Sequence, residues 1–161
     1  NQYLTFILAG EEYGVDILRV QEIKGWQDTT ELPNTPSYIK GVINIRGTVV
    51  PIVDLRSRFK LTFLDYGATT VVIVLLVQSD RGSRMMGIAV DAVSDVYSVP
   101  AEHMKPTPDF GSNINIEVVK GLAAIKDKMV IMLDIDKLLN SDEFEVFQHI
   151  SESTGKQVEV A

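Results

Sequence analysis

No cysteine occurs anywhere in the 161 residues. Disulfides, thiolate nucleophiles and cysteine-ligated metals are thereby excluded, and a reducing compartment is favoured. Histidine is scarce: His103 and His149 are the two, and neither stands in a metal-ligand spacing. Long hydrophobic runs are missing as well. The longest spans the seven residues Val71 to Val77, far short of a bilayer-crossing helix. The N-terminal stretch NQYLTFILAG has no basic region ahead of an apolar one, so it does not read as a signal peptide. It also lacks an initiator Met, so the chain is expected to begin inside a longer one. Positive charge is in deficit, with 15 basic residues against 22 acidic and a net charge of −7. Phosphate backbones and anionic lipid surfaces attract positive patches, so nucleic acid and membrane surfaces are disfavoured as partners and protein is favoured. No glycine-rich phosphate loop, nucleophile elbow or other cofactor motif is present, so no cofactor is expected.

What the chain has is apolar material in short pieces. Hydrophobic residues make up 45% of it, enough for a core, and Val, Ile, Thr and Tyr cluster between Gly, Pro, Asn and Asp. Strands are expected over Tyr3 to Leu8, Tyr13 to Ile17, Gly41 to Ile45, Thr48 to Val53, Thr70 to Val77, Met86 to Val90 and Met129 to Leu133. Leu55 to Phe59 and Ile135 to Leu139 read as single short helices. Ser141 to Ile150 reads as a terminal helix, with Ser141 as N-cap and Phe144, Phe147 and Ile150 on one face. The tail 151–161 is polar.

Laid against itself, the chain repeats. GVINIRGTVVPIVDLRSRFK (41–60) aligns without gaps on GLAAIKDKMVIMLDIDKLLN (121–140), an offset of 80. YGVDILRVQEI (13–23) aligns on MGIAVDAVSDV (86–96) at 73, and Tyr3 to Leu8 can be laid on Thr70 to Leu75 at 67. The order is kept while the offset grows, as expected of two copies whose loops diverged. The reading is an all-β fold of two small barrels, each of roughly 60 residues. The first lies mainly over 10–68 and the second over 69–140. A barrel so small has a marginal core, which predicts a shared interface and a groove between the two.

Each 41–60 block fits a hairpin closed by two residues, Arg46-Gly47 in one copy and Lys126-Asp127 in the other. Gly supplies positive φ freely and Asp tolerates it. Arg46 is then at a turn, with its head in solvent. Ile43 and Ile45 share one strand face; Val42, Val49 and Val53 fall on the other, which the second barrel or a partner must cover. Pro51 removes a ladder donor and argues for an edge or a bulge.

Asp54 and Asp134 occupy equivalent positions after apolar strands. Two such carboxylates could form an acid dyad on a pseudo-twofold axis, as in a hydrolase. Neither is followed by a small Thr/Ser-Gly turn, and each precedes a short helix that it can cap. Capping is the expectation. A single-stranded nucleic-acid binder would need basic grooves and stacked aromatics, against which the acidic balance and 7% aromatics stand. LRVQEI (18–23) reads either as a turn with core anchors or as a mixed apolar and acidic contact strip. Phe110, after the stiff KPTP, reads from its own chemistry as folding back onto its barrel. Trp26 and the Met pairs read as packing residues.

The stretches EEYGVDILRVQEIKG, NTPSYIKGVINIRGTVVPIVDLR, AVDAVSDV and GLAAIKDKMVIMLDIDKLLNS resemble the CheW family of bacterial chemotaxis adaptors, in order, from about residue 3 to about residue 150. The resemblance implies two SH3-like β-barrels and no catalytic activity. It implies a cytoplasmic scaffold, recruited to the inner face of the membrane through chemoreceptor (methyl-accepting chemotaxis protein) tips, which couples them to the histidine kinase CheA through its regulatory domain. Carried over by position, it implies receptor contacts at Val20, Glu22, Gly41, Arg46 and Val71. It implies kinase contacts at Lys105 and Phe110, which turns Phe110 outward, and more weakly at Ile17 and Leu18. Lys105 stands where the family also has arginine, so the charge is kept and bidentate pairing is not.

Overall fold

The computed structural model describes residues 1–62, 65–107 and 116–140. The helix expected over 141–150 and the tail 151–161 lie outside the described residues. The short Val- and Ile-rich runs form β1 (Gln2–Leu8), β2 (Glu11–Asp16), β3 (Val20–Gly25), β4 (Ile39–Ile45) and β5 (Thr48–Asp54) in the first copy. The second copy has β6 (Val71–Ser79), β7 (Gly82–Val90), β8 (Ala92–Ser98), β9 (Met104–Lys105), β10 (Val119–Ile125) and β11 (Lys128–Leu133). Two short helices, α1 (Leu55–Arg58) and α2 (Ile135–Leu139), follow β5 and β11. Strands β3, β8 and β9 were not expected. None has a fully buried residue, so the alternation of buried and exposed positions that marks a core strand is muted in them.

The fold is all-β, two SH3-like halves from an internal duplication, but the halves are not consecutive in the chain. One sheet runs β8-β1-β2-β11-β10-β9 and the other β3-β6-β7-β5-β4. The first hairpin of each copy is thus inserted into the sheet of the other. β1 pairs with β8 and β2 lies parallel to β11, while β6 pairs with β3 and β7 lies parallel to β5. The boundary expected at 68/69 is corrected accordingly: residues 2–16 belong with the second half and 71–90 with the first. Periodicity says which face of a strand is buried, and it is silent on which sheet the strand joins.

The register also corrects one offset. Leu4 and Phe6 pair with Val15 and Tyr13, as Ile73 and Leu75 pair with Ile88 and Met86. β1 therefore maps onto β6 at 69, not 67. Two residues is one full strand period, so both offsets place the same side chains inward and pattern alone could not separate them. The copies even share their irregularities, with bulges between Leu4 and Phe6, Val20 and Glu22, Ile39 and Gly41, and Val119 and Gly121.

Both parallel seams rest on equivalent glycines. Gly14 of β2 faces Met132, and Gly87 of β7 faces Ile52 opposite it. A Cβ added at Gly14 would lie 2.5 Å from the Met132 sulfur, and one at Gly87 2.7 Å from Ile52 Cδ1. A side chain at either position would have to push these neighbouring side chains aside.

Three apolar clusters result. Ile43, Ile45, Val50, Ile52, Val72, Val74 and Ala89 fill one half, and Tyr3, Val99, Ala123, Val130 and Met132 the other. The largest cluster lies between them and joins Leu4, Phe6, Tyr13 and Val15 to Val53, Ile73, Leu75, Met86, Ile88 and the buried leucines of α2. The face bearing Val53 and, partly, Val42 is therefore covered from within the chain. Of the edge or bulge that Pro51 argued for, the edge is not found, since β5 is an interior strand, while the bulge of β4 between Ile39 and Gly41 lies beside the Val42–Pro51 pair. Val42, opposite Pro51, spends its N–H and C=O on Thr30, so the ring nitrogen points away from β4. Pairing with β7 begins one residue later, at Ile52, which leaves the proline no donor to withhold.

The two chain crossings between sheets are each tied to a helix by a bidentate pair. Arg19, in the 3-10 turn Ile17–Arg19 after β2, grips Asp136 of α2 at 2.9 and 2.8 Å. Arg56 of α1 grips Asp91, between β7 and β8, at 2.7 and 2.6 Å. Arg56 and Asp136 are equivalent positions at offset 80, so the clasp is repeated with its charges reversed.

Both helix caps are as expected. Asp54 accepts from the Ser57 N–H at 3.3 Å and Asp134 from the Lys137 N–H at 3.1 Å. Asp54 is buried and also accepts the Tyr66 hydroxyl at 2.7 Å. Asp54→Ala is expected to cost more than Asp134→Ala within the range of about 0.5–2 kcal/mol for lost caps, because it also removes the acceptor of the Tyr66 hydroxyl. Denaturant titration of both variants checks the order.

Burial opposes ionisation of Asp91 and Asp136, but donation from Arg56 and the Ala9 N–H, and from Arg19 and the Gln78 N–H, outweighs it and holds both carboxyls below the usual range. A carboxyl depressed on folding stabilises above its unfolded pKa of about 3.9 and ceases to as pH falls through its folded value. The urea midpoint should therefore fall as pH drops below about 4. The Asp91→Asn/Asp136→Asn double variant should sit lower at neutral pH and show a flatter acid limb; an unchanged limb would assign the acid sensitivity elsewhere.

Candidate functional site

Arg46 is at the tip of the β4–β5 hairpin. Ile45 faces Thr48 across a two-residue turn in which Arg46 and Gly47 have φ of +49° and +86°. Positive φ at both residues is the signature of a type I′ turn, which follows the natural twist of the strands. Asn44 fixes it, its side-chain oxygen accepting the Gly47 N–H at 2.8 Å. The Arg46 side chain on this rigid base is 75% exposed and meets Glu22 in a long 3.4 Å pair. An exposed pair at that distance contributes little to stability and leaves most donors free.

Glu22 is on β3, and β3 and β4 are the opposite edges of their five-stranded sheet. Their contact shows the sheet curling until its edges approach. In the other half Lys126, with φ of +49°, reaches over the Tyr97 ring of β8 in the equivalent way. Among the expected receptor residues the structure thus brings Arg46 and Glu22 together. Val20 lies on the same edge strand, half-buried, and Ile23 beside it is 45% exposed. Val71 opens β6 opposite Gly25, about 15 Å along the ladder from Val20. Gly41 is different. It is buried, with φ of +133°, and a Cβ there would run into the backbone carbonyl of Thr30. It shapes the bulge of β4 and offers no surface.

The expected kinase residues fall in two places. Ile17 is half-buried, and Leu18, in the 3-10 turn that leads into β3, is 81% exposed. The turn is capped by Asp16, which accepts the Leu18 N–H at 2.9 Å. LRVQEI is therefore a turn followed by an edge strand, anchored on the core by half-buried Val20. Lys105 is exposed on β9, the outermost strand of the other sheet. Phe110 lies outside the described residues.

Asp54 and Asp134 each serve their own helix, so the structure supports the caps and assembles no dyad from them. His103 is exposed in a 3-10 turn, His149 lies outside the described residues, and no group of acidic or histidine side chains among the described residues could hold a metal. Trp26 is half-buried, packs on the first-half core and stacks on Tyr66 at 3.8 Å. Sequence reasoning missed the exposed Val96 and Met129. The offset of 73 places Val96 on Ile23 and was the available signal for it.

Gly41→Ala is expected to lower the melting temperature by several degrees, through a strained φ and the Thr30 collision, at about 1–3 kcal/mol. Calorimetry checks this. A variant that melts like the parent yet loses partner binding would make Gly41 a contact after all.

Comparisons with known proteins identify the family of this fold. The model of the CheW-like domain matches residues 2–143. The chain is 46% identical over 153 residues to the chemotaxis protein CheW of Klebsiella aerogenes, covering 95% of this chain and 90% of that one. It is 36% identical over 145 residues to that of Rhizobium meliloti, covering 90% and 91%. Among solved structures, the scaffolding protein TtCheW from Thermoanaerobacter tengcongensis superposes with a TM-score of 0.78 at 30% identity, over 88% of this chain and 89% of that one.

Proposed function

The chain belongs to the CheW-like family of chemotaxis adaptors, and from that membership we propose that it couples chemoreceptor cytoplasmic tips to the regulatory domain of the histidine kinase CheA. It acts without catalysis, as a scaffold. The observation that carries this reading is the rigid presentation of Arg46, 75% exposed beside Glu22, on the same half as the 81% exposed Leu18. Exposed groups on fixed backbones suit recognition. They do not suit chemistry, which needs converging groups in a pocket.

In this reading the receptor meets the strip of Val20, Glu22, Arg46 and Val71, with Gly41 shaping the strand beneath. A guanidinium offers a planar set of donors to carboxylates and carbonyls of a receptor helix. The kinase regulatory domain meets Ile17 and Leu18 on one half, and Lys105 with Phe110 on the other. Receptor state then biases kinase activity through contact geometry. No helix among the described residues is long and apolar enough to cross a membrane. Recruitment to the inner face of the membrane, from the cytoplasm, runs through the receptor.

Arg46→Glu tests the receptor surface. The substitution sets two carboxylates together at the Glu22 contact, on an exposed turn, at a stability cost of about 0.5 kcal/mol or less. The melting temperature is expected to stay within a few degrees, while binding to a receptor cytoplasmic fragment falls at least about tenfold. A variant that folds and binds normally makes Arg46 a spectator, and one that unfolds makes it structural; both outcomes refute the contact role.

A further inference from the structure

Arg19 separates the two proposed surfaces in the chain, with Ile17 and Leu18 before it and Val20 and Glu22 after it. The turn Ile17–Arg19 contains no buried residue, so apolar packing does not fix it. Half-buried Ile17 and Val20 touch the central core at its ends. Polar bonds hold the rest. The Asp16 carboxylate caps the turn, and Arg19 turns inward with one nitrogen donating to the Leu76 carbonyl at 3.0 Å and to Asp136 at 2.9 Å. Its other nitrogen reaches Asp136 at 2.8 Å and, at 3.4 Å, the Gln78 side chain. Asp136 in turn accepts the Gln78 N–H at 2.9 Å. The 23% exposure of the Arg19 side chain beside 81% for Leu18 shows the result: one residue is anchored and its neighbour is pushed outward.

We propose that Arg19 is a positioning residue for partner coupling: by clasping Asp136 it fixes, against the second copy's helix α2, the turn that presents Leu18 and starts the strand carrying Val20 and Glu22. The inference rests on the docking role given above to Leu18. A two-pronged grip on a carboxylate defines direction as well as distance, which a lysine in its place could not do. Rigidity at Leu18 matters because a turn already ordered loses less freedom when a partner closes over it. The reciprocal clasp, Arg56 on Asp91, supplies an internal control. It has the same geometry and holds the other crossing between sheets; Val71 of the receptor strip lies near it, opposite Val90, but the proposed kinase contacts Ile17, Leu18 and Lys105 lie on other elements.

The experiment compares Arg19→Gln, Arg19→Lys and Arg56→Gln. It reads melting temperature, amide exchange over 17–22, and binding to the isolated kinase regulatory domain. Arg19→Gln and Arg56→Gln are expected to lower the melting temperature by similar amounts. Only Arg19→Gln should speed exchange over 17–22, by about tenfold, and weaken kinase-domain binding by about tenfold, with Arg19→Lys between it and the parent. Should Arg19→Gln fail to fold, Asp136→Asn keeps the arginine and removes half of the grip. Equal weakening by Arg56→Gln would overturn the proposal by reducing the effect to global stability. Normal binding by Arg19→Gln despite faster exchange would overturn it as well. Leu18→Ser separates the two levels. If it binds like the parent, the docking role of the turn fails and this inference with it; if it binds weakly while Arg19→Gln binds normally, only the positioning role fails.

Discussion

The exchange of hairpins between the two copies governs the rest of the molecule. A sheet of five or six short strands encloses few side chains, and the interior clusters of the two halves are small for that reason. Because β1–β2 and β6–β7 each pair with the other copy, their second faces turn toward one another and form the largest cluster. Neither half can then unfold without exposing the interior of both. The parallel seams β2–β11 and β5–β7 are the narrow points, and at Gly14 and Gly87 the side chains of Met132 and Ile52 take up the space of a Cβ. Surface residues drawn from different halves consequently keep a fixed relation to each other.

Most of the strands and both short helices were legible because local rules decide them. Type I′ turns demand positive φ, and Arg46-Gly47 and Lys126-Asp127 supply it. Asp54 and Asp134 cap because an aspartate before a helix satisfies free N–H groups. Internal alignment revealed the duplication, since equivalent bulges and glycines recur at matched positions. Sheet membership was not legible, because β1 pairing with β8 or with any other apolar strand leaves the same alternation in the sequence. The edge strands β3 and β8 escaped for a related reason: with neither face buried, their composition does not separate them from loops.

The site divides along the same line. Exposure of Arg46 followed from its turn, and the resemblance named Gly41 as a contact position. Its manner of importance was hidden, because the carbonyl that excludes a Cβ belongs to Thr30, brought alongside β4 only by the folded loop. Arg19 was passed over altogether. An arginine in a polar turn looks solvated, and its partner Asp136 is 117 residues away.

The two copies keep their geometry while differing in chemistry. The two crossings keep the clasp but reverse its charges, so the mechanical need is common to both copies and the chemistry is interchangeable. The hairpin tips keep the turn but not its occupants. One offers a guanidinium loosely held by a carboxylate, the other an ammonium resting over an aromatic ring. Folding alone would accept either tip in either copy, since both pairs satisfy the same φ angles. The turn itself does not require an arginine, which is consistent with the contact role proposed for it. A turn whose backbone is determined and whose side chain is left almost unpaired has its binding geometry set before any partner arrives, so less of the interaction energy goes to ordering it.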